Sequence, residues 1–124
     1  MLQIERRSLD AEVTVLDVSG HVDMSNCFRL HESIIHEVEG GKTRLVLNLS
    51  NLNFIDSSCL GVLLRGLERV HREKGSMVLV SNQFVDRVLT LTGLTHLLVT
   101  YPDEQTALEA LRGMPQRKAG TGNA

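Results

Sequence analysis

The chain has 124 residues, room for one domain with one continuous core. Hydrophobic residues make up 42% and charged residues 23%, the balance of an ordinary soluble globular protein. A net charge of -2 supplies no basic footprint for nucleic acid.

Residues 2–7 and 12–19 ("EVTVLDVS") alternate apolar and polar positions, the period of strands. The short "SLDA" between them predicts a hairpin, and Gly20 breaks the second pattern. From Ser25 to about Glu39 the residues Cys27, Phe28, Ile34, Ile35 and Val38 recur at helical spacing, with Gly40 and Gly41 as the stop. "RLVLNLS" (44–50) is nearly continuous in apolar residues, as in a strand buried on both faces. A second helix is expected over 57–74, a strand over 77–80, a third helix over 83–92, a strand over 97–100 and a last helix over 103–112. Strands alternating with helices after an initial hairpin give an α/β fold with a mixed, mostly parallel sheet and about four helices. The domain is placed at 1–113 and a small, polar, flexible tail at 114–124.

Cys27 and Cys59 lie inside amphipathic segments without CxxC spacing, which favours free thiols in a reducing compartment over a disulfide framework. The N-terminus lacks the apolar core of a signal peptide, and no apolar run approaches membrane-spanning length. A cytoplasmic protein without membrane insertion is expected.

Three stretches resemble catalytic or ligand motifs until their spacing is checked. "GGKT" (40–43) lacks the P-loop glycine five residues before Gly41, where His36 stands, and it follows a helix where a P-loop follows a strand. In "HESIIH" (31–36) the histidines are five apart, so on a helix they diverge by roughly 140° and cannot share a metal. Neither Ser57 nor Ser58 has the flanking glycines of a GxSxG nucleophile elbow. No enzymatic activity, metal or cofactor is expected.

What remains is "NFIDSSCLG" (53–61), where an apolar strand runs into Asp56, two serines and a helix. Advancing 100° per residue puts Leu60, Leu63, Leu64, Leu67 and Val70 on one stripe, with Cys59 at its margin. Ser58 projects nearly opposite, on the side of Val62, Arg65, Arg69 and Arg72, while Ser57 projects sideways and is suited to capping the helix. Two readings stand. The cluster is a plain N-cap for the orphan N–H groups of the first turn. Alternatively Ser58 is a phosphorylation switch: a phosphate adds about -1.5 to -2 charges, tolerated by the helix dipole and opposed by Asp56 and, if the loop after Gly20 ends on the same sheet edge, by Asp23. The fold would survive while the docking surface changed sign.

The segment "LVLNLSNLNFIDSSCLGVLL", with "GHVD" (20–23) upstream and "VSNQFVDRVLTLTGLTHLL" (80–98) downstream, resembles the STAS domain, in particular bacterial anti-sigma factor antagonists. The resemblance spans roughly residues 3–112, and [apolar]-D-S-S-x-L-G is its most specific motif. It implies a sheet with helices, no catalysis, and regulation of transcription by partner switching. An anti-sigma factor that is also a serine kinase would phosphorylate the second serine, Ser58. The unmodified form would bind that kinase and free its sigma factor, and a serine phosphatase, metal-dependent, would restore binding. Asp23 and Asp56 match acidic positions of the family, and Asp23, Asp56, Ser57, Ser58, Val62 and Arg65 form the expected partner-binding set. Cys59 departs from the glycine many members hold there. A different job for the same fold is a STAS subunit of a signalling scaffold or transporter complex, indifferent to charge at Ser58.

Overall fold

A computed structural model of the chain describes residues 1–114. Its elements are β1 (Leu2–Ser8), β2 (Val13–Val22), α1 (Cys27–Glu39), β3 (Arg44–Ile55), α2 (Leu60–Arg72), β4 (Ser76–Val80), α3 (Gln83–Thr92), β5 (Thr100–Tyr101) and α4 (Glu104–Gly113). The strands form one sheet in the order β1-β2-β3-β4-β5; β1 is antiparallel to β2, and every other pairing is parallel. This is the mixed, mostly parallel sheet with an N-terminal hairpin and four helices that the alternation predicts.

The period of two divides each inner strand between two cores. Leu16, Val18, Leu45, Leu47, Leu49, Met77 and Leu79 face α1, α2 and α3, whereas Val13, Val15, Val46, Val78 and Val80 face Ala107 and Leu111 of α4. Leu45, Val46 and Leu47 have no exposed surface, as a strand covered on both sides requires. An ion pair fastens the edge hairpin to the first layer. Arg6 donates to both carboxylate oxygens of Glu37 on α1, at 2.6 and 2.8 Å, and satisfies a carboxylate that is only 3% exposed.

Four element boundaries differ from the sequence pattern. β2 runs through Gly20, whose φ of +94° accommodates a shift in pairing between Gly20 and His21. A Cβ there would stand 1.9 Å from the Met1 carbonyl oxygen, so only glycine fits. β3 continues to Ile55 although β4 pairs with it only as far as Asn48. Beyond that point the Asn82 side-chain amide donates to the carbonyls of Leu49, Ser50 and Leu52 (3.4, 3.1 and 2.9 Å). Its carbonyl meanwhile accepts from the N–H of Val85 at 2.8 Å and caps α3. The apolar run at 97–99 is a turn that buries only Leu98, and pairing begins at Thr100. Met114, assigned above to the tail, is held by Arg44, which donates to its carbonyl at 2.9 Å; the rest of the expected tail, 115–124, lies outside the described residues.

Candidate functional site

β2 and β3 run parallel and end level, with Val22 opposite Ile55 and the Asp56 N–H donating to the Val22 carbonyl at 2.9 Å. Each strand therefore delivers an aspartate, Asp23 or Asp56, to the same end of the sheet, directly before the first turn of a helix. The condition set for Asp23 is met. Its Oδ1 accepts from the Ser25 hydroxyl at 2.6 Å and the Ser25 N–H at 2.9 Å. Those two bonds, the hydroxyl's first, hold the Asp23 carboxyl below the usual carboxylate range.

Asp56 makes the matching arrangement one strand over. Extended at φ -67°, ψ 130°, it caps a short 3₁₀ turn, Ser57–Cys59, that leads into α2. Its Oδ1 accepts from the Ser58 N–H at 3.0 Å and from the Ser58 hydroxyl at 2.9 Å. Ser58 is exposed, as the helical projection requires. Ser57 is exposed too but is not the cap. It already lies inside the turn, and the capping oxygen must come from the residue before it.

Two assignments on α2 need correction or refinement. Val62 does not belong to the exposed face; it is 5% exposed. α2 packs against α1 as well as the sheet, so its buried arc extends over Val62 and Gly66, while Leu64 and Leu67 are only half-buried. At the crossing a Cβ on Gly66 would lie 2.8 Å from Ile34 Cδ1, so the absence of a side chain sets the approach of the helices. Arg65 is exposed, and its Nη1 lies 3.6 Å from where a Cβ on Gly61 would sit. The guanidinium thus reaches back one turn toward the serines.

Cys59, the residue after the switch serine, is 1% exposed. Burial, with the neighbouring Cys27 thiol, pushes its own thiol up to about 12, so it stays protonated at neutral pH. Among the described residues no group of three or more His, Cys, Asp or Glu side chains is arranged to hold a metal ion.

Three large apolar residues at this end of the sheet are left exposed: Met24, Phe28 and Phe54, by 73, 56 and 42%. Phe54 sits between the rings of His21 and Phe84, at centroid distances of 5.9 and 6.1 Å. Phe28, placed by its spacing on the apolar stripe of α1, is not part of it. It lies two residues before Leu30, which is buried, and therefore about 200° away on the opposite side of the helix.

Comparison with known proteins bears on the family and the fold. Residues 5–100 match the family described as Mlab, STAS domain. The TM1081 homolog of Thermotoga neapolitana is 31% identical over 104 residues, which cover 82% of this chain and 92% of that protein. The crystal structure of an anti-sigma factor antagonist from Mycobacterium paratuberculosis superposes with a TM-score of 0.81 at 29% identity, covering 90% of this chain and 95% of that one. The Bacillus cell fate determinant SpoIIAA, solved in its phosphorylated form, shares the fold at 20% identity and a TM-score of 0.68, with 89% of this chain and all of that one (100%) covered. With 96 consecutive positions (5 through 100) matched to the family, the chain belongs to the STAS domain family.

Proposed function

We propose that the protein is an anti-sigma factor antagonist, a cytoplasmic partner switch that regulates transcription and is thrown by phosphorylation of Ser58. One observation carries this reading: the hydroxyl of Ser58 is exposed in the first turn before α2, and its proton is held by Asp56 at 2.9 Å. A phosphate on that oxygen replaces the proton, so the bond to Asp56 is lost and a dianionic group stands against the Asp56 carboxylate. Asp23, kept ionised by Ser25, adds a second negative charge on the neighbouring strand end. The positive end of the α2 dipole favours the anion. Attraction to the backbone and repulsion from the two carboxylates oppose each other locally, so the modification reshapes the turn and leaves the core intact.

In the unmodified state Met24, Phe28 and Phe54 provide apolar contact area and Asp23, Asp56, Ser57, Ser58 and Arg65 provide polar contacts. The partner is an anti-sigma factor with serine kinase activity, and a serine phosphatase resets the switch. The chain itself is a substrate and a ligand, without catalysis of its own. This reading is supported by the relatives named as anti-sigma factor antagonists and by a structural relative that carries the phosphorylated state.

The test is capture of the cognate kinase by the full chain, with intact mass read before and after ATP. Wild type is expected to bind and to gain one phosphate. Ser58→Asp loses capture with its melting temperature nearly unchanged, and Ser58→Ala binds without release. Capture by both variants at the wild-type level refutes the switch. Stable association with a large assembly irrespective of charge at Ser58 would instead identify a scaffold or transporter subunit.

A further inference from the structure

The two cysteines are separated by 32 positions (27 to 59) in sequence but meet in space. Each opens the helical path after one of the paired strands, and each donates its backbone N–H to the carbonyl of the aspartate that ends its strand. Cys27 donates to Asp23 at 2.9 Å and Cys59 to Asp56 at 2.8 Å. The strand ends are themselves joined by the Asp56 N–H on the Val22 carbonyl, and α1 packs along α2. Cys27 packs against the core cluster to which the buried Cys59 belongs, and its thiol and the Ser58 hydroxyl both act on the Cys59 thiol. Both are free thiols, Cys27 half-buried and Cys59 buried.

We propose that Cys27 and Cys59 form an oxidisable pair which, under peroxide, closes an intramolecular disulfide and ties the turn carrying Ser58 to the start of α1. Both backbone positions are hydrogen-bonded to adjacent strand ends, and closure needs the two Cβ atoms to come within about 3.5–4.5 Å of each other. Cys27, the more accessible, is the entry point. Its sulfur takes one oxygen of hydrogen peroxide as the O–O bond breaks, giving a sulfenic acid and one water. The Cys59 sulfur then attacks the Cys27 sulfur. The S–S bond forms, the S–O bond breaks, and hydroxide leaves with the Cys59 proton as a second water. Two thiols are oxidised by one electron each, and one peroxide is reduced to two waters. The second step is slow, since the Cys59 thiol is held protonated in its buried setting. A small thiol reductant reverses the reaction.

The consequence for docking rests on the reading of Ser58 given above: the tie would add a redox input to the same turn that phosphorylation acts on. The chemistry does not depend on that reading, and its test needs no partner. The full chain is treated with hydrogen peroxide and examined by intact mass, free-thiol counting and non-reducing peptide mapping. The expected result is a monomer lighter by about 2 Da, both free thiols lost together, a Cys27–Cys59 linked peptide, and full recovery with dithiothreitol. Cys27→Ser removes a half-buried thiol and should fold normally while losing the mass change; Cys27→Ala serves as a second check. Addition of one or more oxygens at Cys27 with Cys59 untouched overturns the proposal, as does a disulfide-linked dimer as the main product.

Discussion

The contact between Gly66 and Ile34 offers a test of the α1–α2 packing that positions the whole site. An alanine at 66 would place its Cβ 2.8 Å from Ile34 Cδ1 and 3.3 Å from its Cγ2, where carbon atoms prefer about 3.5–4.0 Å. Ile34 has no exposed surface, so the methyl has nowhere empty to go. Replacing glycine inside a helix gains about 1 kcal/mol in propensity, while overpacking a core costs about 1–3 kcal/mol. Gly66→Ala alone is therefore expected to lose up to about 2 kcal/mol. Ile34→Val, which deletes the clashing Cδ1, should cost about 0.5–1.5 kcal/mol by itself. In that background the new methyl occupies the vacated space and Gly66→Ala becomes neutral or stabilising. Urea denaturation of the four proteins at constant slope yields the coupling, expected at about 1–3 kcal/mol. Additivity within about 0.5 kcal/mol would mean that the helices do not meet at these residues, and would remove the reason given for the burial of Val62.

The cap gives a second prediction. Asp56→Ala should cost about 0.5–2 kcal/mol in thermal unfolding and Asp56→Asn much less, because the asparagine oxygen still accepts from the turn. Equal losses for both would show that charge, and not capping, is the role of Asp56. The Arg6–Glu37 pair gives a third. Arg6 holds the Glu37 carboxyl below its ordinary 4.5, so as pH falls the unfolded chain takes up a proton before the folded one does. The stability from this pair is thus complete above about pH 4.5 and is lost as pH drops through the lower folded value. Glu37→Gln should flatten that acid limb in melts run from neutral to acid pH, and an unchanged slope would contradict it.

Much of the fold was legible because the inner strands are covered on both faces and the helices are bounded by strong stops. The hairpin follows from two alternating runs, and α3 falls where its pattern puts it, since Asn82 caps its start and Gly93, at φ +75°, its end. The misread parts share a cause: they depend on a neighbour that a local pattern does not contain. Gly20 reads as a break, yet it is a bulge pressed against Met1, the residue before the edge strand. The polar Asn48, Ser50, Asn51 and Asn53 end the apolar run of β3, although that strand extends to Ile55 along β2. The helical projection separates Ser58 from the core but assigns Val62 to the surface, because one helix cannot declare that two partners cover it. Met24 and Phe54 were invisible for the opposite reason: nothing in their local pattern says that the chain leaves them uncovered.

Asn82 takes over where β4 stops, and its three donated contacts give this an effect at a distance. The stretch of β3 from Leu49 to Leu52, which leads on to Phe54 and Asp56, is steadied by an amide from the start of α3. An isosteric leucine there would strip three carbonyls of their donor and let the strand's free half sway. The serine turn would then lose precision without a single substitution among the groups that touch a partner.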